Sequence, residues 1–285
     1  MIILDRLKNL NELSHNERIV AKYLLNYKGN IHTLTANDIA KDTFVSASTV
    51  IRLSKKLGCN GWLDLREKIE KEKTYLELSY DDVDSNYPFT QQDSIQKIAS
   101  MISTLLSETI LETERLFQHD NLIKAIQYLS LANSIYIFAM SHSSMTYDFK
   151  YKMKTLYKRV HIMNNRDDFI YILNTLTKND CCIFISYSGE SFNNLHITKY
   201  LKTRHYPCIS ITKYSDNTLV QVTDAHLYIP NKEERFDKIA NYVSNQSIHY
   251  ILDVLYSGIF NKNYQTNIIK TNSYYENNRN LYKNK

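Results

Sequence analysis

Five short apolar runs, separated by stretches with helical character, constrain the fold of this 285-residue chain more than any other feature. The runs span residues 135–139, 160–163, 181–185, 208–212 and 225–229. Strands that are apolar rather than alternating with polar residues are buried on both faces of a sheet. Helices are predicted over 144–157, 167–176, 191–203 and 217–221, followed by a long helix over 234–260. This order predicts a parallel five-stranded sheet within a three-layer α/β sandwich.

The first 73 residues instead predict a set of short helices, with no pattern typical of a strand. Ser14 and Glu17 have the spacing of a capping box, in which each side chain accepts a hydrogen bond from the other residue's backbone amide. Thr35 is placed to begin a second helix, a turn follows over 42–45, and Ser46 is placed to begin a third. A fourth helix would cover the core of this region with Trp62, Leu65 and Ile69.

The third helix has two contrasting faces. At about 100° per residue, the residues that share its inner face are apolar, namely Val50, Leu53 and Leu57. The residues on or beside its outer face are polar or basic, namely Ser48, Thr49, Arg52, Lys55 and Lys56. A short helix, a tight turn and a capped helix with a basic outer face are typical of a helix-turn-helix, whose second helix enters the DNA major groove. The alternative is an ordinary surface helix with a solvated charged face.

These residues carry the predicted contacts to DNA. We expect Ser48, Thr49 and Arg52 to contact base edges, and Lys55 and Lys56 to contact phosphates. Ser46 completes the predicted DNA-binding set, because it begins the helix and the free amides of a helix N-terminus attract phosphate.

The distribution of charge and composition predicts how the chain is divided. Residues 1–73 carry 13 Lys/Arg against 9 Asp/Glu, a net charge of +4, whereas residues 74–260 carry a net charge of −3. A basic N-terminal region favours a polyanionic partner. The segment 74–90, with three aspartates and Pro88, has no periodicity, and the last 25 residues include eight asparagines. The predicted divisions are a helix-turn-helix domain (1–73), a linker (74–90), an α/β domain with leading helices (91–260) and a mobile tail (261–285).

Several classes of protein are excluded on composition and motifs. The four cysteines form no CxxC pair and two of them, Cys181 and Cys182, are adjacent, which favours a reduced cytosolic protein over a disulfide framework or a zinc site. Charged residues appear by residue 6, so no signal peptide is expected. No apolar run approaches the ~20 residues that cross a bilayer, and no GxGxxG motif occurs. We therefore predict a cytoplasmic protein that needs no metal, cofactor or membrane.

Two predicted strands are followed by segments rich in hydroxyl groups. Residues 140–144 read Met-Ser-His-Ser-Ser after the first strand, and residues 186–191 read Ser-Tyr-Ser-Gly-Glu-Ser after the third. Hydroxyl donors, a glycine that permits a tight turn and the amides of an opening helix together can bind a phosphate. The alternative is that these serines only cap the helices that follow.

Two regions of the sequence resemble a known family of proteins. The N-terminal stretches LSHNERIVAKYLL and LTANDIAKDTFVSASTVIRLSKKLGCNGWLDLREKI resemble the winged-type helix-turn-helix of RpiR/MurR transcriptional regulators. The C-terminal motif ISYSGES, with its flanking strands, resembles the sugar isomerase (SIS) domain that accompanies it, and the likeness covers roughly residues 1–260. The resemblance implies a regulator of sugar or amino-sugar metabolism that senses a phosphosugar and binds operator DNA as a homodimer or homotetramer.

The resemblance also implies which residues would bind the phosphosugar. They are Ser143, Ser186, Tyr187, Ser188, Gly189 and Ser191, with Glu234 at the predicted start of the last long helix. The first loop departs from the family pattern, since Ala139 and Ser141 stand where glycines are usual. A regulator whose effector site has decayed is therefore an alternative.

A third interpretation is an enzyme, a ketose–aldose phosphosugar isomerase with an accessory helical domain. Such an enzyme needs a base beside the phosphate site. The candidates are His142, Glu190, Glu234 and His249. None of them has a supporting second group in the sequence, so we predict a regulator rather than an enzyme.

Overall fold

The chain divides into two units, Met1–Tyr80 and Asp81–Lys285. The structure, a computed structural model, describes residues 3–8, 13–27, 29–77, 83–139, 143–163, 172 and 175–283.

The N-terminal unit consists of helices around one apolar core. Its helices are α1 (Ile3–Lys8), α2 (His15–Asn26), a 3-10 turn (Ile31–Thr33), α3 (Ala36–Thr43), α4 (Ala47–Lys56) and α5 (Trp62–Glu77). The capping box of Ser14 and Glu17 is confirmed, as is the burial of Trp62, Leu65 and Ile69. The described residues of this unit contain no strand, so the wing implied by the resemblance is not found among them.

Helix α1 was not predicted, because the group that begins it is distant in the sequence. The Glu72 carboxylate on α5 accepts hydrogen bonds from the backbone amides of Ile3 and Leu4, at 2.8 and 2.9 Å. A buried carboxylate at a helix N-terminus satisfies free amides and opposes the positive end of the helix dipole. This contact ties the first helix of the unit to the last.

The C-terminal unit contains the predicted sheet. Its elements are α6 (Ile95–Arg115), α7 (His119–Leu131), β1 (Ser134–Ala139), α8 (Ser143–Thr155), β2 (Arg159–Met163), β3 (Cys181–Ile185), α9 (Phe192–Thr203), β4 (Cys208–Lys213), α10 (Thr218–Val222), β5 (Ala225–Ile229), α11 (Tyr242–Lys262) and α12 (Tyr264–Lys283). The helix predicted over 167–176 lies mostly outside the described residues. No helix that the structure describes is long and apolar enough to cross a membrane.

All five strands are parallel, in the order β2-β1-β3-β4-β5, and the prediction of a three-layer sandwich is confirmed. Successive residues of a strand face opposite sides. Ile135 and Ile137 therefore pack in one core with α7, α8 and α11, whereas Tyr136 and Phe138 pack in a second core with α9 and α10. The rings of Phe138 and Phe184 stack across β1 and β3 with centroids 4.7 Å apart.

The strand order reverses between β1 and β3. From β1 the chain continues to β2 on one side, whereas from β3 it continues to β4 on the other side. Ala139, the last residue of β1, pairs with Ile185, the last residue of β3. In open parallel sheets, ligands bind at the carboxyl ends of the strands where the strand order reverses.

The long helix predicted over 234–260 was wrong at its start, since α11 begins at Tyr242. The preceding residues are irregular because distant groups hold them. Asn86 accepts a hydrogen bond from the Glu234 amide at 2.8 Å and, through its carbonyl, one from the Ile239 amide at 2.9 Å. Ser85 donates to the Lys232 carbonyl at 2.6 Å. Part of the segment predicted as a linker therefore packs against residues 232–239.

The tail predicted to be mobile instead forms helix α12. Asn267 is buried there and donates to the carbonyl of Phe260, at 3.0 Å, near the end of α11. Carbonyls in the last turn of a helix have no partner within that helix. The asparagines of this segment led to the prediction of a mobile tail. One of them, Asn267, instead donates a hydrogen bond to a carbonyl at the end of α11.

Candidate functional site

The outer face of α4 is exposed along its length. Ser48, Arg52 and Lys55 are exposed, whereas Val50 and Leu53 on the opposite face are fully buried. The two faces follow the predicted pattern because residues three and four apart share a helix face. The N-terminal unit therefore presents a polar, basic helix face to solvent.

Thr49 differs from its predicted role. Its side chain is only 1% exposed, and its hydroxyl lies 3.0 Å from the Ser46 hydroxyl and accepts a hydrogen bond from the Arg52 guanidinium at 3.2 Å. A buried hydroxyl does not reach a base edge, so the assignment of Thr49 as a base-reading residue is corrected. Thr49 instead positions Arg52 on the exposed face.

Ser46 begins α4 as predicted, but its hydroxyl makes no capping hydrogen bond to the helix. It lies 2.8 Å from the hydroxyl of Ser48 instead. The start of α4 therefore carries linked hydroxyl groups.

Lys56 is part of an ion pair rather than an isolated charge on the helix. Its Nζ lies 3.3 Å from the Glu17 carboxylate, which also accepts a hydrogen bond from the Ser14 amide at 2.8 Å. That amide contact is the main reason why the pKa of Glu17 lies below its usual value. Lys56 is exposed as well, but its ion pair competes with a phosphate, so Lys55 is the better candidate of the two.

Sequence reasoning missed two exposed apolar side chains on α4 and in the turn before it. Phe44, in the turn before α4, is 96% exposed and has a left-handed backbone with φ of 55°. Ile51, on α4, is 42% exposed. The helical spacing of Ile51 from Ser48 and Lys55 places it on the outer face, so the sequence itself contains the signal for its exposure.

The second candidate site lies at the carboxyl ends of β1 and β3. Met140, Ser141 and His142, which follow β1, lie outside the described residues. Ser143 begins α8, and its side chain is likewise outside the described part of the chain. The pairing of Ala139 with Ile185 nevertheless means that the two strands that precede the hydroxyl-rich segments end side by side.

The loop after β3 turns its hydroxyl groups toward each other. Ser186 is 5% exposed, and its hydroxyl lies 2.8 Å from that of Ser191. Ser191 is the N-cap residue of α9 but makes no side-chain capping bond. Gly189, with φ of 69°, donates its amide to the Ser186 carbonyl at 3.0 Å and closes a tight turn. Ser188 accepts a hydrogen bond from the Glu190 amide at 3.2 Å.

Glu190, a candidate catalytic base, has a structural role. Its two carboxylate oxygens accept hydrogen bonds from the Thr218 amide and the Thr218 hydroxyl, both at 2.8 Å. The carboxylate thus satisfies the first residue of α10. This contact fixes the loop after β3 to the segment after β4.

Tyr187 connects the loop after β3 to charged residues that the sequence did not predict as part of the site. Its hydroxyl oxygen accepts a hydrogen bond from the Glu233 amide at 2.9 Å. The ammonium groups of Lys213 and Lys238 lie 5.8 and 5.5 Å from the centre of its ring. Lys213 ends β4, so the rule that places ligands at strand ends could have identified it.

Glu233, rather than Glu234, is the buried carboxylate before α11. It accepts hydrogen bonds from the Ser244 amide at 2.9 Å and the Ser244 hydroxyl at 2.7 Å, and pairs with Lys238 at 3.0 Å. Glu234 is exposed and does not open the helix. The prediction that Glu234 begins the last long helix was therefore wrong, because the helix start depends on contacts that a local pattern does not contain, whereas the assignment of Glu234 to the phosphosugar site stays a prediction.

His249, another candidate base, lies in a cluster between α8 and α11. Asp148, His249 and Asp253 have ligand atoms within 4.8 Å of one another, a spacing that a metal ion could use. The Lys152 ammonium, however, lies 2.6 Å from Asp148 and also contacts Asp253. Partial burial opposes the charge of Asp148, but the contacts with Lys152 outweigh it and lower the pKa of Asp148. The lysine thus already supplies the positive charge that a metal would bring.

Each of the two units matches a known protein domain. The helix-turn-helix domain of the rpiR family matches residues 1–74, and the SIS domain matches residues 128–257. An uncharacterized HTH-type transcriptional regulator, YbbH of Bacillus subtilis (strain 168), is 23% identical over 257 residues, which cover 90% of this chain and 89% of the relative. The HTH-type transcriptional regulator GlvR of the same organism is 23% identical over 232 residues, covering 79% and 82%.

A solved structure shares the whole fold. The Vibrio vulnificus NanR protein complexed with ManNAc-6P covers 98% of this chain and 98% of its own, with a TM-score of 0.61 and 19% identity. A helix-turn-helix unit followed by an SIS domain defines the class of protein. The N-terminal unit carries the helix-turn-helix domain of the rpiR family and the C-terminal unit an SIS domain, and the curated relatives that the chain matches over most of its length are named HTH-type transcriptional regulators. The curated relatives are named as regulators, in agreement with the prediction that this chain is not an enzyme.

Proposed function

We propose that this protein is a cytoplasmic, sequence-specific regulator of sugar or amino-sugar metabolism. Helix α4 binds operator DNA, and the loops after β1 and β3 bind a phosphosugar that changes the affinity for DNA. The protein acts as a homodimer or homotetramer, so that two copies of α4 meet the two halves of a palindromic site.

The observation that carries the DNA part of the proposal is the outer face of α4. Arg52 and Lys55 are exposed there, and no acidic residue occurs from Ser46 to Trp62. Arginine forms bidentate hydrogen bonds with guanine in the major groove, and lysine neutralises phosphates. Arg52 is also held by Thr49, which reduces the entropy lost on binding.

The phosphosugar part of the proposal rests on the loop after β3. Ser186, Ser188 and Ser191 supply hydroxyl groups beside a tight turn at Gly189, and the strand β3 that precedes them ends beside the end of β1. Lys213 adds positive charge near this loop, since its ammonium group lies 5.8 Å from the centre of the Tyr187 ring. Hydroxyl and amide donors with nearby cations are the groups that bind a phosphate monoester.

The first experiment is selection of bound duplexes from a random DNA library at moderate salt, using the full-length protein. Enrichment of an inverted repeat would support a dimeric regulator, and the selected site would then be titrated against a panel of phosphosugars that includes ManNAc-6P. A ligand that binds only the folded protein raises its melting temperature. A panel that shifts neither the melting temperature nor the DNA affinity would favour the alternative of a decayed effector site.

Alanine substitutions at three positions of α4 are expected to change DNA binding in three different ways. Arg52→Ala should weaken binding by about 1–3 kcal/mol and relax preference at one base position. Lys55→Ala should weaken binding to all sequences alike and reduce the slope of log affinity against log salt by about 1. Lys56→Ala is the matched control, because its ion pair with Glu17 reduces its availability to phosphate, and it should change the slope less.

These responses are measured by fluorescence anisotropy on the selected site and on a scrambled duplex, at salt concentrations from about 50 to about 300 mM, over which the screening of exposed charges increases. Equal losses for Arg52→Ala and Lys55→Ala on both duplexes would contradict the division between base and phosphate contacts.

A further inference from the structure

An isoleucine lies in the middle of the face of α4 that the proposed function assigns to DNA. Ser48, Ile51, Arg52 and Lys55 follow the spacing i, i+3, i+4 and i+7, which places them on one stripe of the helix. All four residues are exposed. The stripe is therefore not purely polar, because an apolar side chain interrupts it at its centre.

The exposure of Ile51 is not a general property of the apolar residues on this helix. Val50 and Leu53 are 0% exposed, whereas Ile51 is 42% exposed. Burial of apolar surface is favourable, so a partner that covers Ile51 gains affinity from it. Because Arg52 and Lys55 flank it, that partner must be anionic and must still offer an apolar group.

The DNA major groove satisfies both requirements at thymine. Phosphates provide the negative charge, and the thymine C5-methyl group is the apolar group that protrudes into the major groove. We propose that Ile51 contacts a thymine methyl group in each half of the operator and so determines preference for thymine at that position. This inference rests on the proposed function, since it assumes that α4 enters the major groove.

The test replaces thymine by deoxyuridine, which removes only the methyl group and keeps the base pair. In the selected site, each thymine is replaced in turn, at equivalent positions of both halves, and the affinity of the full-length protein is measured. Loss of one buried methyl contact corresponds to about a fourfold loss of affinity in each half-site. We expect the wild-type protein to show this loss at one symmetric position.

Variants of Ile51 decide whether that side chain reads the methyl group. Ile51→Ala should bind the thymine and deoxyuridine duplexes with nearly equal affinity at that position, and Ile51→Val should retain part of the difference. Ile123→Ala is the matched control, because Ile123 is an isoleucine of similar exposure, 48%, on α7 of the other unit. It should keep the full wild-type difference.

Two outcomes would overturn the inference, and they are distinguishable. If the protein selects a duplex but no thymine differs from deoxyuridine, or Ile51→Ala keeps the wild-type difference, the role of Ile51 is overturned while DNA binding stands. If the folded protein selects no duplex, both the proposed function and this inference fail.

Discussion

Replacing Gly189 with alanine is expected to destabilise the C-terminal unit by about 2–4 kcal/mol and to abolish any response to a phosphosugar. Gly189 has φ of 69°, a conformation that costs other residues about 1–2 kcal/mol. A Cβ atom there would also lie 2.1 Å from Oδ1 of Asn217. Both effects displace the turn that brings Ser186 and Ser191 together.

Asn217 does not move easily to accommodate the new methyl group. It is 3% exposed, its Oδ1 accepts a hydrogen bond from the Val220 amide at 3.1 Å, and its Nδ2 donates to the Thr212 hydroxyl at 3.1 Å. Moving it would break the cap of α10, a loss of about 1 kcal/mol.

Differential scanning calorimetry, with and without phosphosugars, measures both effects of Gly189→Ala. Gly61→Ala is the control, because no atom lies within 4 Å of a Cβ at Gly61, and its stability should stay within about 0.5 kcal/mol of wild type. If Gly189→Ala has the same melting temperature as the wild-type protein, the close contact with Asn217 does not constrain the loop.

Replacing Glu233 with alanine is expected to cost about 3–5 kcal/mol, because removal of one partner leaves a buried charge without compensation. The Glu233 side chain is 0% exposed and that of Lys238 is 14% exposed. Ser244, near the start of α11, would also lose the acceptor for its amide and hydroxyl. Loss of these contacts should unfold the first turn of α11 before the rest of the unit.

The neighbouring residue provides the control for this variant. Glu234 is exposed, and only its backbone amide is held, by Asn86, so Glu234→Ala should change the free energy of unfolding by less than about 0.5 kcal/mol. Urea unfolding followed by far-UV circular dichroism distinguishes the two variants. A loss as large for Glu234→Ala as for Glu233→Ala would show that the local charge, rather than the buried contacts, matters.

The features that the sequence predicted well depend on local patterns. The strand β3 begins and ends where its apolar run does, because burial on both faces requires apolar residues throughout. The sequence also predicted the hydroxyl-rich loop after β3, because that segment directly follows an apolar run. The capping box at Ser14 is likewise local.

The features that the sequence predicted poorly depend on contacts between distant residues. Glu72 completes α1, and Asn86 keeps residues before α11 irregular. The contact of Asn267 with the end of α11 is nearer in sequence, but asparagine content alone does not predict it. The burial of Thr49 was missed for a different reason, because it lies at the boundary between the two faces of α4. A helical projection separates opposite faces well but does not decide such boundary positions.

The four cysteines provide a separate reporter for each unit. Cys59 is buried in the N-terminal unit, and Cys181, Cys182 and Cys208 are buried in the C-terminal unit. Burial raises the pKa of Cys59, and it raises the pKa of Cys181 and Cys182 far above the usual value. Since only an accessible thiolate reacts with alkylating reagents, labelling of these thiols requires the surrounding structure to open. Mass spectrometry of alkylated peptides therefore times the opening of each unit in the natural chain, with no added probe.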